Sequence, residues 1–347
     1  MEIREHVPLA PLTTIGVGGP ARFFVEASNP DEVREAIGYA RSHSLPLFVL
    51  GGGSNLVVSD AGWPGLVLKV SLLGINHRHG HGTAYFDVGA GEDWDSFVAA
   101  TVQHHCAGVE CLSGIPGSVG GTPVQNVGAY GQEVADTIDT VVALDIASGK
   151  EEEFEKSDCG FAYRSSIFNT SARGRYVILR VTYTLPHDGE PRVGYADLQK
   201  YFRDRGKPTL AEVREAVRQI RASKGMLLTP GDPDARSAGS FFKNPVLTPE
   251  QFDSLRHKAA ARGLEIPNYP ALASQRKVSA AWLVEQSGFP KAFGNGRVGI
   301  SRKHALAIVN RGGATAAEVV ELKNEIQAKV QQQWEIKLEP EPVLLGF

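Results

Sequence analysis

The stretch Leu47-Phe-Val-Leu-Gly-Gly-Gly-Ser-Asn-Leu-Val-Val58 decides how the chain is read. A short apolar run reads as a strand, three glycines and a Ser-Asn pair break it, and a second apolar run resumes. Before it, Asn29 is a good N-cap, Pro30 fits the first helical position, and Asp31 and Glu32 suit the positive helix end. Val33, Ala36, Ile37 and Ala40 recur at i, i+3, i+4, i+7. Helix, strand, glycine turn and strand together indicate mixed helix and sheet. Glycine turns at a strand end free backbone N–H groups that can cradle phosphate, although a tight structural turn would use the same residues. Leu56 stands where a dinucleotide fingerprint needs its third glycine, and no GK[ST] follows, so neither a Rossmann motif nor a P-loop is present.

Composition sets the frame around that stretch. The 347 residues, at roughly 150 per domain, suggest two or three domains. Glycine is the outlier at 38 of 347, about 11% against an ordinary value of about 7%. Six glycines fall in the segment Ser113-Gly-Ile-Pro-Gly-Ser-Val-Gly-Gly-Thr-Pro-Val-Gln-Asn-Val-Gly-Ala-Tyr-Gly131, more than a plain crossover between strands needs. Gln125 and Asn126 among them suit a planar heterocycle. A net charge of -3 with mixed signs offers no footprint for nucleic acid or an anionic membrane, and no apolar run approaches the roughly 18 residues of a span. Residues 1–6 are charged rather than a signal peptide, and three cysteines make no disulfide framework, so a cytoplasmic protein is expected.

Further along, residues 92–107 read as a second amphipathic helix with Trp94, Phe97, Val98, Thr101, Val102 and His105 on one face. Residues 141–146 and 176–185 read as strands, with Ser148-Gly149 as a hairpin turn. Capping signals open helices at Thr209, Thr248 and Thr315; residues 278–287 read helical and 305–309 as a strand. Residues 227–237, rich in Gly, Pro and Asp, read as a linker. His77, His79 and His81 alternate at strand spacing but have no carboxylate or cysteine nearby, and His104 and His105 suit core packing, so no metal is assigned. Tyr163-Arg164-Ser-Ser166 suits either two-point binding of a carboxylate or a surface ion pair. Gly239-Ser240-Phe-Phe-Lys243-Asn244-Pro245 gathers a hydroxyl, a cation and an amide in a loop, and Glu339-Pro-Glu341 carries two carboxylates.

In order along the chain, Thr14-Ile-Gly-Val-Gly-Gly19, Leu50-Gly-Gly-Gly-Ser-Asn-Leu-Val57, the 113–131 segment, Tyr163-Arg164-Ser, Gly239 to Pro245, Ala281-Trp-Leu-Val-Glu-Gln-Ser-Gly288, His304-Ala-Leu-Ala-Ile-Val-Asn310 and Leu338-Glu-Pro-Glu-Pro342 resemble the UDP-N-acetylenolpyruvoylglucosamine reductase (MurB) family. The resemblance implies an α+β fold: a vanillyl-alcohol-oxidase/PCMH-type FAD-binding fold in two subdomains, 1–70 and 71–222, then a smaller substrate-binding domain, 223–334, with the tail 335–347 returning to the first subdomain. It implies FAD on Gly51, Gly52, Gly53, Ser54, Asn55, Leu56, Ile115, Pro116, Gly117, Ser118, Gly120, Gly121, Asn126, Gly128, Ala129 and Arg221. It implies NADPH as reductant and UDP-N-acetylglucosamine enolpyruvate as substrate, met by Tyr163, Tyr195, Lys224, Asn244 and His304, with Tyr195 on a loop near 190–205. Catalysis would rest on Arg164, Ser240 and Glu341, in a monomer serving peptidoglycan precursor synthesis.

Overall fold

Asn29 accepts from the Glu32 N–H at 3.0 Å and opens the first helix, α1, Pro30–Ser42, whose stripe Val33, Ala36, Ile37 and Ala40 is buried. The computed structural model describes residues 1–270 and 274–347. Contacts divide the chain into two units. The first is Met1–Pro8, Pro20–Gly53 and Trp63–Ser223; the second is Leu9–Gly19, Ser54–Gly62 and Lys224–Phe347.

The first unit holds two sheets on one core. In the four-stranded sheet, Pro20–Ala27 lies between Arg4–Pro8, antiparallel to it, and Trp63–Val70, parallel to it; Leu47–Leu50 pairs in parallel with the far side of Trp63–Val70. The α1 stripe packs with Val25, Leu66 and Leu68. The second sheet is antiparallel, ordered Glu151–Glu155, Ile138–Asp145, Tyr176–Pro186, Thr83–Gly89, Ile75–His79. Its inner residues Phe86, Val88, Val181 and Tyr183 share a core with Trp94 and Phe97 of α2, Trp94–Gln103. Burying each such apolar side chain contributes about 1.5–3 kcal/mol. A smaller cluster joins Leu198 and Phe202 of α3, Ala196–Phe202, to Val213, Ala216 and Val217 of α4, Leu210–Ser223.

Helix α2 is shorter than its pattern predicts. The Asp93 carboxylate accepts from the Ser96 N–H at 2.8 Å, which starts the helix at Trp94. At the other end His104 caps it, and His105 takes a left-handed φ of 54° and is exposed, not on the buried face. The strand expected over 305–309 is instead Ile308–Asn310, because a turn in which the Ala307 N–H donates to His304 O occupies the preceding residues.

In the second unit Leu56–Val58 pairs in parallel with Val343–Leu345 of the tail. Helices α5, Pro249–Ala260, α6, Ala280–Gln286, and α7, Ala316–Trp334, surround a core of Ile15, Val57, Phe241, Leu283, Ile308 and Trp334. Two early segments are built into this unit by side chains. Asp60 accepts from the Ala316 and Ala317 N–H groups at 2.8 and 2.9 Å, and Asn310 Nδ2 donates to Ile15 O and Gly16 O. Anions at a helix start are favoured by the helix dipole. Residues 227–237 are no free linker: Lys303 Nζ meets Asp232 at 2.6 Å, and Ser237 bridges Val309. Among the described residues no helix is long and apolar enough to cross a membrane.

Asp145 closes the turn to Glu151–Glu155, accepting from Ser148 N at 2.7 Å and Arg175 Nε at 2.6 Å. The Ser148 N–H first, and then Arg175, hold its carboxyl down to about 2. A depressed folded pKa stabilises fully above the unfolded value of about 3.9 and loses that stabilisation as pH falls toward about 2. The melting-temperature gap between the natural chain and Asp145→Asn should therefore be full at pH 6 and close on acidification below pH 4. A gap independent of pH would refute the assignment.

Candidate active site

The strand Leu47–Leu50 delivers residues 51–53 against residues 117 and 118 of the same unit. A Cβ on Gly52 would sit 2.5 Å from Gly117 Cα, and one on Gly51 would sit 2.7 Å from Ser118 Oγ. Gly53 and Gly117 also hold left-handed φ angles of 65° and 136°. Two glycine turns thus meet backbone to backbone, an approach no other residue allows. Among the described residues, the N–H groups of Gly51, Gly52, Gly53, Gly117 and Ser118 donate to no backbone carbonyl in the turns and loops. Neighbouring backbone donors left over in this way suit the oxyanions of a diphosphate, so the residues present fit FAD. Gly120 and Gly121 differ, because their N–H groups donate to Ala90 O and Ser118 O. Gly120 is also crowded, with a Cβ position 2.6 Å from Ala90 Cβ.

Asp95, which the sequence reading missed, holds this segment in place. Its carboxylate accepts from the Gly114 N–H at 2.6 Å, from Arg214 at 2.6 and 3.0 Å, and from Arg218. Burial opposes its charge, but Arg214, the Gly114 N–H and Arg218 together keep the carboxyl below its ordinary range. One turn on, Arg221 Nε donates to Gly114 O at 3.1 Å. The signal was present as Arg214, Arg218 and Arg221 at i, i+4, i+7, a cationic stripe on an otherwise amphipathic helix. Ile115 and Pro116 follow, half-buried.

Farther along, Gly128–Ala129 pairs with Gln132–Glu133 across a two-residue turn, Tyr130 and Gly131, with φ angles of 48° and 87°. Paired positive φ angles mark the tight hairpin turn that favours glycine. Asn126 is buried and its side chain is spent on structure: Nδ2 donates to Glu133 and Ala162 O, and Oδ1 accepts from the Ala135 N–H. Arg164, itself at φ 54°, donates from Nη2 to Gly128 O at 2.7 Å and lies 5.6 Å from the Tyr163 ring. The structure thus joins Tyr163, Arg164, Asn126 and Gly128. Tyr195 caps α3 and sets its ring edge-on to Tyr130 at 5.3 Å, while buried Glu110 accepts from Arg192 N at 2.9 Å and steadies the approach to it.

The remaining expected residues belong to the second unit. Phe242 bridges Pro340, the Lys243 N–H donates to Glu339 O, and the Glu341 N–H donates to Phe241 O at 2.9 Å, so Ser240 and Glu341 lie at one end of one pairing. Glu341 is half-buried; Glu339 is exposed, 3.9 Å from Lys243 Nζ. Asn55 Nδ2 donates to Glu341 O at 3.2 Å, and Ser54 O accepts from Thr14 Oγ1. The Asn244 amide oxygen accepts from the Ala280 N–H at 2.9 Å. His304 Nδ1 accepts from the Leu306 N–H at 3.1 Å, which sets the Nε2–H tautomer. Lys224 opens this unit, beside Gly225 at φ 64°. A cavity of about 450 Å³ lined by Thr14, Asp232, Arg236 and Arg311 holds none of the residues expected to bind or react.

Asp95→Ala should cost about 2 kcal/mol of stability, since it strands two half-buried arginines, and about tenfold in FAD affinity. Urea unfolding and flavin titration check this; unchanged FAD retention would show that the network does not position the 113–131 segment.

Comparisons with known proteins meet this geometry from outside. Residues 21–155 match the family described as FAD binding domain, and residues 232–345 match UDP-N-acetylenolpyruvoylglucosamine reductase, C-terminal domain. UDP-N-acetylenolpyruvoylglucosamine reductase of Thermobifida fusca is 45% identical over 99% of this chain and 98% of its own. That of Streptomyces coelicolor is 44% identical over 99% and 90%. The crystal structure of the reductase (MurB) from Thermus caldophilus superposes with a TM-score of 0.69 at 26% identity, covering 99% of this chain and all of that one. With an α+β fold, an FAD-binding domain and both glycine turns in place, the chain belongs to the UDP-N-acetylenolpyruvoylglucosamine reductase family of FAD-dependent oxidoreductases.

Proposed function

We propose that the chain reduces the enolpyruvyl group of UDP-N-acetylglucosamine enolpyruvate to UDP-N-acetylmuramate, with NADPH as electron donor, as a cytoplasmic monomer in peptidoglycan precursor synthesis. When bound, FAD supplies hydride, which C3 of the enolpyruvyl group accepts. The observation that carries the reading is the pairing of 241–243 with 339–341, which sets a serine hydroxyl and a half-buried carboxyl at neighbouring positions. In this reading residues 1–70 and 71–222 form two FAD-binding subdomains, and residues 223–334 bind substrate.

Each residue has a task that its surroundings support. Charge building on the substrate carboxylate is stabilised by Arg164, whose guanidinium is anchored on Gly128 O, and by Glu341 in its protonated form. Ser240 Oγ passes a proton to C2; a serine is a weak acid, so this step needs a nearby cation and exclusion of water. Lys224 offers a point charge to the substrate diphosphate. Asn244 and His304 each accept a backbone N–H through one side-chain atom and are of the amide and imidazole types that also carry N–H donors, the chemistry an anionic ligand takes. Tyr163 and Tyr195 supply aromatic walls, Tyr195 against Tyr130. Gly51 to Leu56 and residues 115–118 cradle FAD, joined by Ala129 and Arg221.

In Ser240→Ala, NADPH should still bleach the flavin, while its reoxidation by the enolpyruvyl sugar slows by about 10²–10⁴. Anaerobic stopped-flow absorbance separates the two half-reactions, and equal loss in both would make Ser240 structural. Glu341→Gln should slow only the second half-reaction, whereas Glu339→Gln, on the exposed carboxylate paired with Lys243, should leave both near the natural rate. The reverse ranking would transfer the role to Glu339.

A further inference from the structure

A group of histidines in the first unit lies outside everything described so far. His77 and His79 are two apart on the edge strand Ile75–His79 and therefore share a face. His104, 25 residues beyond His79 at the C-terminal cap of α2, brings its ring to 4.2 Å from that of His77. One ring nitrogen from each of His77, His79 and His104 lies within 4.8 Å of the others. The His187 ring stands edge-on to His79 at 5.0 Å, and its Nδ1 meets the Asp188 carboxylate at 2.9 Å.

We propose that His77, His79 and His104 bind one transition-metal dication of borderline softness, Zn²⁺ as its representative, with His187 in reach as a fourth ligand. Three imidazoles at Zn–N distances of about 2.0–2.1 Å stand about 3.3 Å apart in tetrahedral geometry, so small rotations of exposed rings close the set. An all-imidazole site suits Zn²⁺, Ni²⁺ and Cu²⁺ and rejects Mg²⁺ and Ca²⁺, which require oxygen ligands. A ligating histidine needs its lone pair. Burial first, and then the neighbouring His77 and His79, push the His104 ring below its ordinary pKa, the direction that favours the ligating form. Asp188 orients His187 as carboxylates orient metal-bound imidazoles. A bound ion would staple the edge strand to the end of α2, two elements that the sequence separates by the strand Thr83–Gly89, and stabilise the folded chain by mass action.

The test uses untagged, FAD-loaded, full-length protein titrated with ZnCl₂ by calorimetry and by thermal melting. One Zn²⁺ per chain should bind and raise the melting temperature, and a tenfold excess of Mg²⁺ should not displace it. His77→Ala combined with His104→Ala should lower the affinity at least about a hundredfold, and His79→Ala alone at least about tenfold. His81→Ala and His105→Ala, beside the cluster but outside it, should keep the full affinity. FAD content and the zinc-free melt show whether each variant is folded; should the double variant lose either, His79→Ala decides. Absence of zinc binding by the natural chain, or affinity unchanged in a folded cluster variant, would overturn the proposal.

Discussion

Everything at the candidate site depends on one close contact, the backbone of Gly52 against that of Gly117. A side chain on Gly52 would drive the turns apart, since the space for its Cβ is already taken by Gly117 Cα, and Gly117 holds a φ of 136° that strains any other residue. The contact couples the end of a parallel strand to a loop that packs on the start of α2, where Gly117 O accepts from the Trp94 N–H at 3.0 Å. Ordering glycine costs more entropy than ordering any other residue, because its freedom in the unfolded chain is greatest.

Fixed charges then hold a glycine-rich loop. Asp95 accepts from Gly114 and two arginines, and Arg221 returns to Gly114 O. A carboxylate in such company is stable because each partner offsets the loss of water. The same economy recurs at Glu110, Asn126 and Arg164, where polar side chains hold backbone as well as one another. Loop shape is thereby set before any ligand arrives, and a preorganised site spends little binding energy on ordering itself.

The two units are not consecutive pieces of chain. Leu9–Gly19 and Ser54–Gly62 belong with residues beyond 223. Asp60 and Asn310 show why: each spans hundreds of residues to satisfy helix or loop backbone, interactions with no local signature. Residues 227–237 looked like a linker for the opposite reason, since Gly, Pro and Asp mark a turn equally well when a lysine from elsewhere pins it.

Much of the molecule was legible from order and spacing. The caps at Asn29, Thr248 and Thr315, the α1 stripe, the Ser148-Gly149 hairpin and the two glycine turns act within a few residues, so local chemistry sets them. The ordered motifs also carried the family. Tertiary structure alone decided the rest: that Asn126 holds its own loop, that Gly120 and Gly121 spend their amides inside the chain, that α2 ends at Gln103, and that His104 joins His77 and His79. Hydrogen bonds and close approaches between distant segments leave no periodicity in a sequence, because what they require is a position in space.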